Sequence, residues 1–371
     1  MKITRWRSKA MRHQGAWGVL AALLSACLFG LGTPLAKLLL NQTSPWLLAG
    51  LLYAGSGLGL LVYRRVRGLP TPRLAPNERG WLLAAVVCGG VLAPVLLMLG
   101  LVSMPASHAA LLLNAEAVLT TLLAWAVFKE HIGRRIALGM AAIVAGALLL
   151  SWPSTSLGTA GLSAASLWPA SAVLLACALW ALDNNFTRKV SLNDATWIAC
   201  VKGCAAGLSN LTLAFALGAS LIPWSLVGAS MTLGFFAYGV SLTLFVVALR
   251  HLGASRAGAY FSIAPFVGAV FSVLLLGEPV TWQALSAGAL MALGVGLHLT
   301  EQHSHGHTHI ALSHDHAHTH TDDDLHHQHA HLPGEWLANA EGGRSHSHPH
   351  QHSPQTHDHA HYPDAEHRHA H

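Results

Sequence analysis

Long runs of apolar residues, separated by short polar connections, make up most of the first 300 residues of the chain. A helix needs about 20 mostly apolar residues to cross the hydrocarbon core of a bilayer. Ten segments meet this requirement and predict ten membrane-spanning helices: 17–40, 46–66, 80–102, 107–128, 134–152, 167–187, 195–217, 224–249, 255–276 and 281–299. The longest external connection, 153–166, is a Ser/Gly/Ala linker that divides these spans into five plus five.

The composition agrees with an all-α polytopic membrane protein. Only 10% of the residues are charged and 53% are hydrophobic, whereas a soluble domain carries roughly 25% charged residues. The formal charge of +5 is spread singly among apolar runs, so no basic surface is predicted to bind nucleic acid. We therefore expect the lipid bilayer as a partner, and the sequence is compatible with a homodimer.

The positions of lysine and arginine predict the orientation. Of the 21 basic residues, 17 stand before the first span or in alternate connections. Connections with excess lysine and arginine face the cytoplasm, so both termini are predicted to be cytoplasmic in a plasma (bacterial inner) membrane. Residues 1–16 would be a basic cytoplasmic N-terminus ahead of a retained first span.

The two groups of five spans repeat each other at a spacing of 148 residues. This spacing places Glu130 on Glu278 and Gly146 on Gly294. Because five is an odd number, equivalent spans must cross the membrane in opposite directions. Residues 17–152 and 167–299 are therefore predicted to be two inverted five-helix repeats, an arrangement common in secondary transporters.

Several motifs resemble the EamA branch of the drug/metabolite transporter superfamily. They are Ala-Ser-x-Ala at 106–109 and 254–257, Phe128-Lys129-Glu130, and Leu276-Gly277-Glu278-Pro279, each of the last two followed by a Gly-rich span. The resemblance covers about 15–299 and implies a transporter of amino acids, metabolites or drugs. The usual fourth-span proline is present as Pro265, whereas residues 114–117 (Asn-Ala-Glu-Ala) replace it in the first half. The family's basic residue in the second span of each half corresponds to Lys202, and Ala54 stands at the equivalent position.

Four residues are the candidate transport site. Glu116 lies near the middle of the fourth span beside Asn114, where a charged carboxylate is costly unless it faces a partner or a cavity. It could couple transport to a cation or a proton, or could make a structural bond between helices. Lys202 and Lys37 are candidate counter-charges, although Lys37 could instead extend to the outer interface.

Other polar residues have two interpretations each. His108 and His298 are either ligands or hydrogen-bonded residues at the membrane interface. Cys200 and Cys204 lie one turn apart and could bind a soft metal, but small residues at this spacing also favour close helix packing. The sequence Asp-Asn-Asn at 183–185 either caps the sixth span or lines a cavity.

The segment 300–371 contains 22 of the 27 histidines. Its low hydropathy and lack of apolar periodicity predict a cytoplasmic tail that is disordered without a ligand. Alternating imidazoles suit zinc, nickel, cobalt or copper, although the tail could also be a polar or pH-responsive segment. The candidate metal ligands are His303, His305, His307, His309, His314, His316, His318, His320, His346, His348, His350, His352, His357, His359, His361, His367, His369 and His371.

The leading prediction is a secondary transporter that exports a small solute by alternating access, with a divalent transition metal as one candidate cargo. One alternative is an amino-acid or metabolite exporter whose tail only senses or buffers metal or pH. The other is a membrane-anchored metal buffer or sensor. No catalytic motif is present in the sequence, so we expect neither an enzyme nor a required cofactor. The tail ends in His-Tyr-Pro-Asp (361–364) and His-Arg-His (367–369) and in this resembles a subset of the family, which implies divalent metal handling.

Overall fold

The computed structural model describes residues 2–72, 74–128, 134–152, 164–190, 194–248 and 260–299, together with five strands between 304 and 360. Side chains are described for most residues between 17 and 297. The chain forms two compact units, Met1–Glu301 and Gln302–His371.

The first unit is helical. Its helices are α1 (Lys2–Leu40), α2 (Pro45–Val66), α3 (Pro76–Ala85), α4 (Ala93–Ser103), α5 (Ala106–Leu112), α6 (Ala115–Phe128), α7 (Arg134–Ser151), α8 (Ala164–Arg188), α9 (Ala195–Ala216), α10 (Trp224–Gly234), α11 (241–248), α12 (Ala264–Leu276) and α13 (Trp282–Leu299). Two π-helical segments, Val86–Leu92 and Phe235–Val240, join α3 to α4 and α10 to α11.

Within the described residues, eight helical segments are long and apolar enough to cross a membrane. They are Trp17–Leu40, Pro45–Val66, Glu78–Ser103, Ala106–Leu123, Arg134–Ser151, Leu167–Thr187, Ala195–Ala216 and Trp224–Ala248. The all-helical membrane fold and the first eight predicted spans are confirmed at this level. The predicted ninth and tenth spans correspond to the shorter apolar helices Ala264–Leu276 and Trp282–Leu297. Residues 249–259, where the ninth is predicted to begin, lie outside the described residues, so the count of ten stays a prediction.

The helices of the two halves pack in reciprocal pairs. α2 packs along α9 and α7 along α13, while α1 contacts α12 as α8 contacts α6. Glycines allow the close approach of α2 and α9. A Cβ at Gly203 would lie 2.6 Å from the backbone nitrogen of Gly57, and one at Gly207 would lie 2.6 Å from that of Ala54. The two halves therefore share one interface rather than forming separate bundles.

Four apolar segments depart from α-helical geometry at matching places. The π-helical segments begin at Val86 and Phe235, 149 residues apart. The helix breaks at 113–114 and 262–263 are also 149 residues apart. Such irregularities leave backbone groups available for other partners, and they are tolerated at membrane depth where protein surrounds them.

The second unit contains five strands: β1 (Ser304–His309), β2 (Leu312–His320), β3 (Leu337–Ala338), β4 (Arg344–His352) and β5 (Gln355–Ala360). β1 pairs antiparallel with β5, and β4 pairs antiparallel with β2 and with β3. The disorder predicted for the tail in the absence of a ligand stays a prediction. A histidine at every second position matches the period of an extended strand.

Candidate functional site

A polar network surrounds the first π-helical segment in the middle of the bundle. The carbonyl oxygen of Gly89 accepts hydrogen bonds from the Tyr53 hydroxyl at 2.9 Å and from Trp180 Nε1 at 3.0 Å. The neighbouring carbonyl of Gly90 accepts one from Asn210 Nδ2 at 3.1 Å. The π-helical turn thus presents two carbonyls to side chains from α2, α8 and α9.

An ion pair between α8 and α9 lies beside this network. Lys202 Nζ donates to both carboxylate oxygens of Asp183 at 2.6 Å, and the Thr187 hydroxyl donates to Asp183 Oδ1 at 2.9 Å. The side chains of Lys202 and Asp183 are only 17% and 8% exposed. The predicted counter-charge Lys202 therefore has a different partner from the expected Glu116.

Glu116 lies in the first turn of α6, directly after the break at 113–114. Its Oε1 accepts a hydrogen bond from Asn184 Nδ2 at 2.8 Å. The side chain is partly exposed, and a negative charge is favourable at a helix N-terminus. Because Asn184 follows Asp183, one turn of α8 connects Glu116 with the ion pair.

Asn114 supports the helix break. It is 3% exposed, and its Nδ2 donates to the Leu111 carbonyl at 2.8 Å and lies 3.9 Å from the sulfur of Met291. Asn114 therefore stands two residues before Glu116, but its side chain contacts Leu111 and Met291 instead.

Lys37 lies apart from Glu116 and the ion pair. Its Nζ donates to the carbonyls of Leu101, Val102 and Met104, the last two at 3.0 and 3.1 Å. These are the carbonyls at the C-terminal end of α4, which a cation stabilises. Lys37 thus lies near the end of its span, as expected if its side chain extends to the outer interface.

Glu278 binds the start of α5, which follows the end of α4 that Lys37 contacts. Its carboxylate accepts hydrogen bonds from the backbone N–H groups of Ala106 at 2.6 Å and Ser107 at 2.9 Å. A residue of the second half therefore caps α5 of the first half, at the end of the bundle where Lys37 caps α4. Its predicted counterpart Glu130 lies outside the described residues.

Aromatic rings extend from the network towards α11 and α12. Tyr53 stacks on Tyr238 with ring centroids 5.5 Å apart, and Tyr238 meets Phe29 edge-on at 5.8 Å. Phe29 and Phe245 each pack on Phe261, at 5.3 and 4.8 Å. These rings pack against one another where the two halves meet.

The structure gives contacts for some of the polar residues that have two interpretations. Cys200 donates from its sulfur to the Gly57 carbonyl at 3.5 Å, which is a packing contact between α2 and α9. Asn185 bonds the Ala181 carbonyl within α8 at 2.8 Å. His108 is partly exposed, and the side chain of His298 is outside the described part.

The contacts of Asp183 and Asn184 were not predicted from the sequence, where both residues could have been end caps. In the structure Asp183 pairs with Lys202, and Asn184 donates to Glu116. The signal was a carboxylate four residues inside a predicted span, since an ionisable group at that depth usually marks a functional site.

The predicted metal ligands of the tail are not tested by the structure. The side chains of these histidines are outside its described part, and His303, His361, His367, His369 and His371 are not described at all. Among the side chains that are described, no three His, Cys, Asp or Glu residues come together in a way that could hold a metal ion.

Comparison with known proteins agrees with a repeated transporter architecture. The EamA-like transporter family matches twice, over residues 16–152 and 167–300. One solved crystal structure covers 77% of this chain and 95% of its own, with a TM-score of 0.56 and 17% identity, which supports the fold alone.

Among curated proteins, an uncharacterized transporter of Methanothermobacter thermautotrophicus is 27% identical over 75% of this chain and 85% of its own. A probable amino-acid metabolite efflux pump of Salmonella typhimurium is 26% identical over 74% of this chain and 92% of its own. Because both halves match the family along nearly their whole length, this chain belongs to the EamA-like transporter family and is a multi-pass membrane transporter, not an enzyme.

Proposed function

We propose that the protein exports a small organic solute that carries both an amino group and a carboxylate, such as an amino acid or a related metabolite. The observation that carries the proposal is the polar cluster of Glu116, Asn184, Asp183 and Lys202, which offers charges of both signs inside the membrane. Similarity to a probable amino-acid metabolite efflux pump supports the same class of solute.

The ion pair would exchange its internal partners for those of the solute. A solute carboxylate would bind Lys202, and the solute ammonium would bind Asp183. Removing one partner from a buried ion pair costs about 3–5 kcal/mol, so a solute with a single charge would leave the other residue uncompensated. The site should therefore select zwitterions over simple anions or cations.

Glu116 is the proposed coupling residue. It holds a proton in one conformation and releases it in the other, so that a proton enters while the solute leaves. The bond from Asn184 favours the ionised carboxylate, and the neighbouring Asp183 and Lys202 link this proton exchange to solute binding. Lys37 has no part in this step because its ammonium caps α4.

Alternating access would arise from the inverted repeat. The reciprocal packing of α1 with α12 and α8 with α6, and the irregular segments 149 residues apart, support two halves related by a pseudo-two-fold axis. Interrupted helices at the repeat interface are typical of transporter binding sites. In this proposal both termini are cytoplasmic, and the contact of Glu278 with α5 closes the external end.

Proteoliposomes containing the full chain test the solute class. We expect labelled amino acids to exchange across the membrane and a proton gradient to drive their net movement. Transport of singly charged analogues that equals transport of zwitterions would contradict the proposed roles of Asp183 and Lys202.

A second candidate cargo is a divalent transition metal, and the histidine tail is the observation that favours it. In this version the tail binds zinc, nickel, cobalt or copper through neutral imidazoles and raises the metal concentration at the cytoplasmic opening. Binding should weaken below about pH 6, because protons compete for the same nitrogens. The ammonium of Lys202 opposes a dication at the membrane site, which is why the organic solute is preferred.

Deletion of 301–371 distinguishes an exporter of organic solutes from an exporter of metal. For a metal exporter, the truncated protein should need more metal for half-maximal transport while its maximal rate stays nearly unchanged. For an exporter of organic solutes, amino-acid transport should persist and metal transport should be absent from both forms. A detached tail that alone reproduces the cellular metal tolerance would instead indicate a membrane-anchored buffer or sensor.

A further inference from the structure

A groove of about 790 Å³ opens on the lateral surface where the C-terminal end of α2 meets the N-terminal end of α9. Most of its lining is apolar, including Leu61, Leu69, Trp197, Val201 and Leu208. The groove is separate from the ion pair and Glu116, and the proposed function does not use it. Its volume lies within the range of small-molecule sites.

Buried contacts build this groove into the fold. Arg64 donates from Nη1 to Asp194 Oδ1 at 2.9 Å and from Nη2 to the Pro70 carbonyl at 2.7 Å, and it also bonds Thr196. Gly68 has φ +59° and turns the chain after α2 so that the following loop forms one wall. The guanidinium thus ties this loop to the start of α9.

The charges at the mouth of the groove are unbalanced. Arg64 is neutralised by Asp194, while the adjacent Arg65 is exposed and its guanidinium makes no hydrogen bond or ion pair with the described residues. Arg65 stands in the last turn of a membrane-spanning helix, at the depth of lipid headgroups. The site therefore combines an apolar channel at acyl-chain depth with an unpaired cation at phosphate depth.

We infer that this groove binds an anionic phospholipid from the leaflet on the basic side of the membrane. Its phosphate binds Arg65, and one acyl chain lies along Val201 and Leu208. Basic pockets between membrane helices on the cytoplasmic side are suited to anionic headgroups. A lipid fits better than a second copy of the chain, because the surface is concave and Leu208 remains 70% exposed at its rim.

Native mass spectrometry of the full chain tests the site, with phosphatidylglycerol and phosphatidylcholine of identical acyl chains. We expect one phosphatidylglycerol to be retained in preference to phosphatidylcholine. Arg65→Ala should lower that preference about fivefold, as expected for one basic residue at a membrane surface. The matched control is Arg79→Ala, an exposed arginine that does not line the groove, and it should keep the wild-type preference.

Two further variants make the outcome decisive. Leu208→Trp at the rim and Ala205→Trp inside should each displace the lipid, and one folded variant of the pair is sufficient. An Arg65→Ala protein with the wild-type lipid preference would overturn the inference. So would a concentration-dependent dimer that protects Cys204 from alkylation in lipid-free detergent, because the occupant would then be a second copy.

Discussion

Lys202 Nζ lies 2.6 Å from both carboxylate oxygens of Asp183, and the equivalent positions of the first half hold no charged residue. At the spacing of 148 residues, the corresponding positions are Ala54 and Leu35. The two halves thus share their packing but differ in charge. The ion pair makes the site asymmetric, so α8 and α9 would bind the charged groups of the solute while the first half contributes Glu116.

Removal of either charge should abolish transport and destabilise the protein. We expect Asp183→Asn and Lys202→Met each to cost about 3–5 kcal/mol, because a buried charge is left without its partner. The double variant should recover much of the stability but none of the transport. Thermal unfolding in detergent and solute exchange in proteoliposomes measure the two effects. Transport at the wild-type rate in the double variant would show that the pair is structural only.

Glu116→Gln should uncouple the transporter without unfolding it. The amide oxygen of glutamine can still accept the bond from Asn184 Nδ2, whereas the side chain no longer exchanges a proton. Proton-driven net transport should be lost, and solute exchange without a gradient should persist. A pH-sensitive dye inside the vesicles reports the proton flux. Unaltered coupling in this variant would remove Glu116 from the mechanism.

Glu278→Ala should favour opening of the end of the bundle that holds Lys37. The substitution removes the acceptor for the N–H groups of Ala106 and Ser107, and loss of a helix cap costs about 1 kcal/mol. Spin labels at Val102 and Val280, two exposed positions flanking this contact, should report a larger population at long distance. The control, Glu78→Gln at the start of α3, should leave the distance distribution unchanged.

The ion pair between Arg64 of α2 and Asp194 at the start of α9 should be sensitive to acid. Burial raises the pKa of Asp194, but hydrogen bonds from Thr196 and Trp197 and the charge of Arg64 outweigh it, so the pKa lies below its ordinary value of 3.8. A carboxyl group whose pKa is lowered in the folded state stabilises the protein above its unfolded pKa, and this stabilisation is lost as the pH falls through the folded value.

The melting temperature of the wild type should therefore decrease as the pH drops below about 4. The decrease should be smaller for Asp194→Asn, whose side chain does not titrate. Asn at this position keeps a helix-capping oxygen, so the comparison isolates the charge. Melting temperatures that change equally with pH in both proteins, between about pH 3 and 6, would contradict this role.

The sequence was sufficient to predict the membrane fold, because hydropathy depends only on local composition. It also identified Glu116 and Lys202 as unusual, since an ionisable residue inside an apolar span can be recognised without knowing its partner. Their actual partners could not be predicted, because the contact of Lys202 with Asp183 depends on the rotation of α8 relative to α9. The π-helical turn at Gly89 has no distinct local sequence pattern, so neither the turn nor the side chains that bind its carbonyl could be predicted.

Gly89 provides the sharpest test of the site, because a single methyl group would disturb it. A Cβ at Gly89 would lie 2.6 Å from the Cβ of Asp183, closer than two carbon atoms can approach without movement of α8 or of the π-helical segment. Gly89→Ala should therefore displace Asp183 from Lys202 and greatly reduce transport. The matched control is Gly80→Ala near the start of the same span, where a Cβ would contact nothing within 4 Å. This second variant should keep its activity and gain up to about 1 kcal/mol of stability, because alanine favours a helix over glycine. Equal transport rates for both variants would mean that the close contact between Gly89 and Asp183 is unnecessary for export.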